Sequence, residues 1–481
     1  MYLRLLLPLL LLLWTYSITG QTGLQDVVDK FAGTQVLASA WRAVDVRDAI
    51  TGERVASYQP ELACIPASTQ KLLTTAVAMD VLGPDHRFET KLVASGTVEK
   101  GVLRGNLYVV GGGDPSLGSD RMDGVPGVEA VLDRWVAAVR QRGITRITGA
   151  VVGDGSYLGT DGAGRGWPWA DLGNYYGAGA YGLNFNENSY TLSFAQRPQE
   201  GSTPPVLGTD PVVPGLTFTN ELRSGPRGSG DQAYIFGSPF TYDYFIRGSI
   251  PVGTGRFRIR GSVPDPPLWV AQLLTTALRA AGIEVVQPPA THLVVGPLVA
   301  DTGELLMTHQ SPPLAELVDR TNLTSNNLFA EALLREVYRG RGDREQELTE
   351  VIVDWLEAKG IATDGLQLQD GSGLSPRNYF PASLMTALLV NRAGEARWRR
   401  SIPLAGRTGS MQNVLKGTVA EGRVWGKSGT VDGVRAYAGY VERPDGRRLV
   451  YHIAVNNHTL RGAELNPLIY GLMRDLCTAG L

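Results

Sequence analysis

Ser68 is followed three residues later by Lys71, at the head of an apolar run that continues to Leu82. On a helix, positions i and i+3 share a face, so the lysine nitrogen can reach the serine hydroxyl. Burial lowers a lysine pKa, and the neutral amine is then a base able to activate the hydroxyl for attack on a carbonyl. Backbone N–H groups at the helix start, with the helix dipole, favour the oxyanion that such an attack creates. Two later elements carry matching chemistry. Ser325-Asn326-Asn327 offers a hydroxyl for proton relay and, at Asn327, an amide that can grip a substrate carbonyl. Lys427-Ser428-Gly429-Thr430 offers a cation and hydroxyls for a carboxylate, with a glycine where substrate must approach the backbone.

Each element also has a plain structural reading. Ser68 can be a helix N-cap followed by a surface lysine, and Ser325 or Asn326 can cap the helix that follows. Lys427 can belong to a turn leading into an edge strand. Singly, those readings are the better ones. The three together, in this order and each in a fitting setting (helix start, interhelical loop, edge-strand start), favour the chemistry.

The elements that must position these residues are legible in outline. Strands are expected over Val36–Val44 and Arg54–Tyr58, and the helix over Lys71–Leu82 is apolar nearly all round, hence buried. Gly83-Pro84 ends it. From about His86 to Val295 short β-type runs alternate with Gly, Pro, Asp and Asn clusters, with one clear helical stretch, Leu268–Gly282. Helical patterning returns over Pro313–Thr321, Leu328–Val337 and Glu345–Lys359. Strands Arg435–Val441 and Arg448–Val455, joined by Pro444-Asp445-Gly446, read as a hairpin, and a last helix covers Pro467–Cys477. This is an α+β pattern: an antiparallel sheet flanked by helices, with a β-rich insertion between the first two chemical elements. The expected division is a signal peptide at 1–20, a discontinuous catalytic domain at 21–88 and 299–481, and an inserted module at 89–298 that contains one or two nested domains.

Bulk properties set outer bounds. The 481 residues are 43% hydrophobic and 19% charged, with a net charge of −2. No basic run or stripe points to nucleic acid or to an anionic membrane surface. Arg4 followed by the leucine-rich Leu5–Trp14 and small or polar residues at Ser17, Thr19 and Gly20 reads as an export signal, too short for a comfortable span. The mature protein is expected to start near Gln21, outside the cytoplasm and without a membrane span. Cys64 and Cys477 are the only cysteines, and their spacing leaves a disulfide open. The five histidines are scattered, no Cys/His cluster has metal spacing, and no metal or cofactor is expected.

The ordered motifs resemble those of class C low-molecular-mass penicillin-binding proteins, the D-alanyl-D-alanine carboxypeptidase/endopeptidase family of peptidase type S13. Ile65-Pro66-Ala67-Ser68-Thr69-Gln70-Lys71-Leu72 is similar to that family's nucleophile segment. Further matches are Gly111-Gly112-Gly113-Asp114-Pro115-Ser116-Leu117, Gly166-Trp167-Pro168-Trp169-Ala170-Asp171-Leu172 and Asp370-Gly371-Ser372-Gly373-Leu374-Ser375. The likeness runs from about residue 25 to 475. It implies a penicillin-binding, serine β-lactamase-like fold and hydrolysis of D-Ala-D-Ala in peptidoglycan stem peptides, with β-lactams as covalent inhibitors.

The resemblance also implies roles. Ser68 is the nucleophile, Lys71 takes its proton, and Ser325 relays a proton to the leaving D-alanine. Asn327 binds the acyl-side amide. Lys427, Ser428 and Thr430 hold the terminal carboxylate, and the N–H groups of Ser68 and Thr430 form the oxyanion hole. Asp161 and Arg377 are the nearest matches to an acid and an arginine that read the stem peptide's diamino acid. The middle residue Asn326 departs from the frequent S-D-N form, and its side chain is expected to matter little. Two other readings stay open on sequence alone: a secreted serine β-lactamase, and a non-catalytic cell-wall binding protein that keeps the fold. The sequence leaves the oligomeric state and the balance of carboxypeptidase and endopeptidase action open.

Overall fold

The computed structural model describes residues 23–299, 302–339 and 348–480. The expected signal peptide lies outside the described residues. Among the described residues no helix is long and apolar enough to cross a membrane.

The two ends of the chain meet in one antiparallel sheet. Its order is Val424–Val431, Val434–Glu442, Arg448–Asn456, Trp41–Asp48, Arg54–Tyr58. Trp41 pairs with Asn456 and Asp48 with Leu449, so an early strand is stitched to a late one along its whole length. Alternation along the strands sends side chains to two cores. Tyr437, Val441, Tyr451 and Ile453 pack with the terminal helices Leu24–Ala32 and Gly462–Thr478. Ala438, Tyr440 and Val450 pack on the other face with Leu72, Phe329, Leu333 and Leu384. The helix Lys71–Val81 lies in this second layer, and its residues from Lys71 to Ala78 are all buried.

The first strand starts later than its β-type composition suggests. Gln35–Leu37 form a 3₁₀ turn, and the strand spans Trp41–Asp48. Pairing to Arg448–Asn456 sets this register and places Asp45 in the interior, where Arg47 (2.8 Å) and Arg54 (2.6 Å) neutralise it. Lys427 sits within the edge strand Val424–Val431 rather than at its start. Both cysteines are buried and free, so no disulfide joins the ends of the chain.

Between the helix Lys71–Val81 and the Ser325 loop, the chain builds its own core around Trp135, Phe185 and Trp269. The strands Glu89–Glu99, Val102–Val110, Val151–Asp154 and Glu304–Gln310 share one seven-stranded sheet. The return strand Glu304–Gln310 therefore belongs to the sheet that Glu89 opens, beyond the limit expected at 298. Two smaller sheets follow. The helix Pro266–Ala280 stands where the apolar run Leu268–Gly282 suggests, but a second helix, Val128–Gln141, is present as well. Its buried residues Val131, Trp135, Val136 and Val139 follow helical spacing, a signal hidden between glycine-rich stretches.

The helix Asn327–Arg339 joins the Ser325 loop to the helix Lys71–Val81 through Phe329, which is fully buried. Phe329→Ala is expected to cost about 3–5 kcal/mol through loss of burial and the cavity left behind. Calorimetry of the unfolding transition should show the loss as a melting temperature several degrees lower.

Candidate active site

Ser68 lies in a 3₁₀ turn, Ala67–Gln70, that leads directly into the helix Lys71–Val81. Ala67 just before it has φ of 46°, a left-handed conformation that side chains avoid and that marks a locally strained turn. Two glycines let other chain segments press against this turn. A Cβ on Gly429 would stand 2.5 Å from the Pro66 carbonyl oxygen and 3.0 Å from the Ser68 nitrogen. A Cβ on Gly373 would stand 2.0 Å from the Ala67 carbonyl oxygen. The Lys427 strand and the Asp370–Ser375 loop thus both close on the backbone of the serine.

Lys71 is fully buried and donates three hydrogen bonds. They run to Ser68 Oγ (2.9 Å), Asn327 Oδ1 (2.6 Å) and the Ser372 carbonyl (2.6 Å). Burial pulls its pKa down to about 7, although the carboxylates of Asp370 and Glu331 pull the other way. Lys427 is also fully buried, and donates to Ser325 Oγ (2.8 Å) and the Ser428 carbonyl (2.8 Å). Burial holds it well below the ordinary lysine range, and the nearby Lys71 adds to that. Ser68 and Ser325, each hydrogen-bonded to a buried lysine, both line a cleft of about 1160 Å³.

Ser325 caps the helix Leu314–Thr324 in the left-handed conformation, φ 58°, which turns the chain sharply before Asn327. The capping reading of this loop also holds, since Asn326 Oδ1 accepts from Phe329 N (3.3 Å). Asn327 spends Oδ1 on Lys71, and Nδ2 donates to the Tyr176 carbonyl (2.7 Å) of the inserted module. Thr430 stands exposed in the cleft, bonded through its hydroxyl to Arg435. Ser428 Oγ lies 3.2 Å from Ser410 Oγ.

Asp161 and Arg377 do not line the cleft. Asp161 is 83% exposed and pairs with Arg335 (3.2 Å), while Arg377 is exposed and packs beside Gly166. The acid of that segment that does line it is Asp171, half-buried, with its pKa raised by burial in spite of a hydrogen bond from Tyr176 (3.2 Å).

The support of Lys71 was not foreseeable from the three motifs. Glu331 is buried and accepts from the N–H groups of Ser372 (2.8 Å) and Gly371 (3.1 Å). Asp370, equally buried, accepts from Gly373 N (2.7 Å), Ser375 N (2.6 Å) and Trp167 Nε1 (2.8 Å). These two carboxylates fold the Asp370–Ser375 loop so that the Ser372 carbonyl meets Lys71. The sequence signal for Glu331 is a lone acid among Leu328, Phe329, Ala332 and Leu333, all buried.

Comparison with known proteins places the chain in a family. Residues 24–469 match the D-Ala-D-Ala carboxypeptidase 3 (S13) family. The chain belongs to that family. A D-alanyl-D-alanine carboxypeptidase of Actinomadura sp. (strain R39) is 30% identical over 464 residues, covering 91% of this chain and 82% of the relative. The D-alanyl-D-alanine carboxypeptidase DacB of Haemophilus influenzae is 26% identical over 430 residues, covering 85% and 84%. The crystal structure of penicillin binding protein 4 (dacB) from Haemophilus influenzae has the same fold. Its TM-score is 0.77 at 23% identity, over 94% of this chain and 98% of that one. The chain is a D-Ala-D-Ala carboxypeptidase, a hydrolase with the penicillin-binding fold.

The close approach at Gly429 gives a direct test of the geometry. Gly429→Ala would push the Lys427 strand away from the Ser68 turn. Hydrolysis of a D-Ala-D-Ala peptide is expected to fall by roughly a hundredfold, and the melting temperature to fall with it because the clash is with backbone.

Proposed function

We propose that this carboxypeptidase cleaves the D-Ala-D-Ala bond of peptidoglycan stem peptides through an acyl-enzyme on Ser68. The observation that carries the reading is the buried Lys71, 2.9 Å from Ser68 Oγ and with a pKa near 7. A neutral amine there takes the Ser68 proton as Oγ bonds to the carbonyl carbon of the penultimate D-alanine. The carbonyl π-electrons move to oxygen, and the N–H groups of Ser68 and Thr430 receive that charge. When the oxyanion collapses, the C–N bond breaks, and Ser325, paired with Lys427, passes a proton to the departing amine. The Lys71 ammonium then returns its proton to Ser325, water attacks the ester and gives up a proton to the neutral Lys71, and as the adduct collapses Lys71 passes that proton to Ser68 Oγ.

The remaining polar groups suit binding. Lys427, Ser428 and Thr430 receive the terminal carboxylate, whose negative charge favours the ammonium form of Lys427. Asn327 Nδ2 carries two hydrogens; one is donated to Tyr176, which leaves the other for the acyl-side carbonyl. A cationic group on the stem peptide is best matched by Asp171, since Asp161 is held by Arg335 outside the cleft. The inserted module, which we take to run from Glu89 through Gln310, supplies that wall of the cleft. The Haemophilus influenzae protein has been crystallised with a β-lactam, and the same acylation is proposed for Ser68. The leucine-rich N-terminus supports export to the compartment where peptidoglycan lies.

A fluorescent penicillin is expected to label the protein covalently and stably. Ser68→Ala should abolish the label, and labelling that survives in that variant would sink the mechanism. Sustained hydrolysis of the β-lactam would instead favour a β-lactamase. Mass spectrometry of digested muropeptides separates loss of a terminal alanine from cleavage of cross-links.

The pH dependence follows from Lys71. Its amine is the working form, so acylation should rise about tenfold per pH unit below pH 7 and level off above it. Stopped-flow labelling across pH 5 to 9 reads this profile. A rate that falls as pH rises through 7 would exclude Lys71 as the base.

A further inference from the structure

We propose that Glu187, carried by the inserted module, is a positioning residue for the reaction. Its carboxylate holds the Ser325 loop in the conformation that brings Ser325 Oγ to Lys427. The proposal rests on the acyl-enzyme reading above.

Glu187 lines the cleft yet is only 3% exposed. Its Oε1 accepts from Ser119 Oγ (2.8 Å) and Arg320 Nη2 (2.9 Å), and its Oε2 accepts from Asn326 Nδ2 (3.1 Å) and Arg260 Nη2 (3.4 Å). Two of these partners belong to the inserted module. The other two flank the turn at Ser325: Arg320 is in the last turns of the preceding helix, and Asn326 is the next residue. One carboxylate therefore ties the module to both sides of the relay serine.

The Asn326 side chain is a bridge, contrary to the expectation that it matters little. Its Oδ1 caps the following helix at Phe329 N, and its Nδ2 reaches Glu187. Ser325 stands between these anchors in a left-handed conformation, which needs fixing from outside. Glu187 is itself held in a costly backbone state, with three consecutive left-handed residues, Asn186, Glu187 and Asn188 (φ 51°, 55° and 47°). Buried amides brace this segment, Asn188 Nδ2 to the Gly179 carbonyl (2.8 Å) and Asn186 Nδ2 to the Ser189 carbonyl (2.9 Å). Maintaining such a conformation on the cleft wall fits a role in presenting the carboxylate.

Glu187 is unsuited to act as a deacylating base. Burial alone would raise its pKa, but Arg320, Ser119, Arg121 and Arg260 outweigh that and hold it below the ordinary carboxylate range. Its lone pairs are committed to four donors.

The test is a double-mutant cycle on the full chain, with fluorescent-penicillin acylation rate, peptide kcat and KM, and melting temperature as readouts. Asn326→Asp replaces a donor with a carboxylate facing Glu187, and should slow acylation roughly tenfold or more, with kcat falling and KM little changed. Glu187→Gln should slow it by a smaller factor. The pair Glu187→Gln/Asn326→Asp restores a donor–acceptor match in reverse and should recover to within about threefold of the wild-type rate. A merely structural contact would not give a rescue in kcat at constant melting temperature. A wild-type rate in Asn326→Asp, or a double variant no faster than Asn326→Asp, overturns the proposal. Should Asn326→Asp not fold, Glu187→Gln decides alone: a fall in kcat at unchanged KM and melting temperature supports the role, and an unchanged kcat overturns it. Failure of the wild type to label at Ser68 would instead sink the acyl-enzyme reading, which keeps the two outcomes apart.

Discussion

The proposed chemistry of this enzyme centres on the buried nitrogen of Lys71. Lys71 is removed from water and held by a hydroxyl, an amide oxygen and a backbone carbonyl, each from a different part of the chain. Burying an ammonium is costly, and the protein responds by lowering its pKa rather than by pairing it directly with a carboxylate. The acids that surround it, Asp370 and Glu331, are spent on backbone N–H groups of one loop. Their charge moderates the shift, and their hydrogen bonds aim the Ser372 carbonyl. Burial thus lowers the pKa of the lysine, and the loop fixes its direction.

The same need for close approach explains the glycines around the serine. The edge strand and the Asp370–Ser375 loop both press on the backbone of residues 66–68, at separations that leave no room for a Cβ at Gly429 or Gly373. The sheet carrying Gly429 is built from both ends of the chain, through the pairing of Trp41–Asp48 with Arg448–Asn456. The chain between Glu89 and Gln310 is part of this assembly. Tyr176 receives Asn327, Trp167 donates to Asp370, and Glu187 receives Asn326 and Arg320, so the segments at residues 320–327 and at Asp370 are braced by residues between Glu89 and Gln310. A cleft wall and a mechanical support are one object here.

Much of this was legible from residue types and spacing. The Lys71–Val81 helix declares itself by being apolar nearly all round, and the hairpin Val434–Asn456 by its turn residues and β-branched runs. The late start of the first strand was not, because its register is set by a partner strand some four hundred residues away rather than by its own composition. The helix Val128–Gln141 shows that a clear 3.6-residue period is easily passed over when its neighbours are rich in glycine. Asp161 and Asp171 lie in one loop-rich segment, and spacing alone could not separate the acid held by Arg335 from the acid that lines the cleft.

By itself the sequence determined the three chemical elements, their order, the burial of the nucleophile helix and the α+β class. These are local or periodic properties, set by side-chain type and by the few residues on either side. Only the tertiary structure decided which groups hold those elements in place. Glu331, Asp370 and Glu187 each accept from groups distant in sequence, and a buried carboxylate is written no differently from a solvated one. What distinguishes them is the loss of water around them, which belongs to the folded chain and not to any stretch of it.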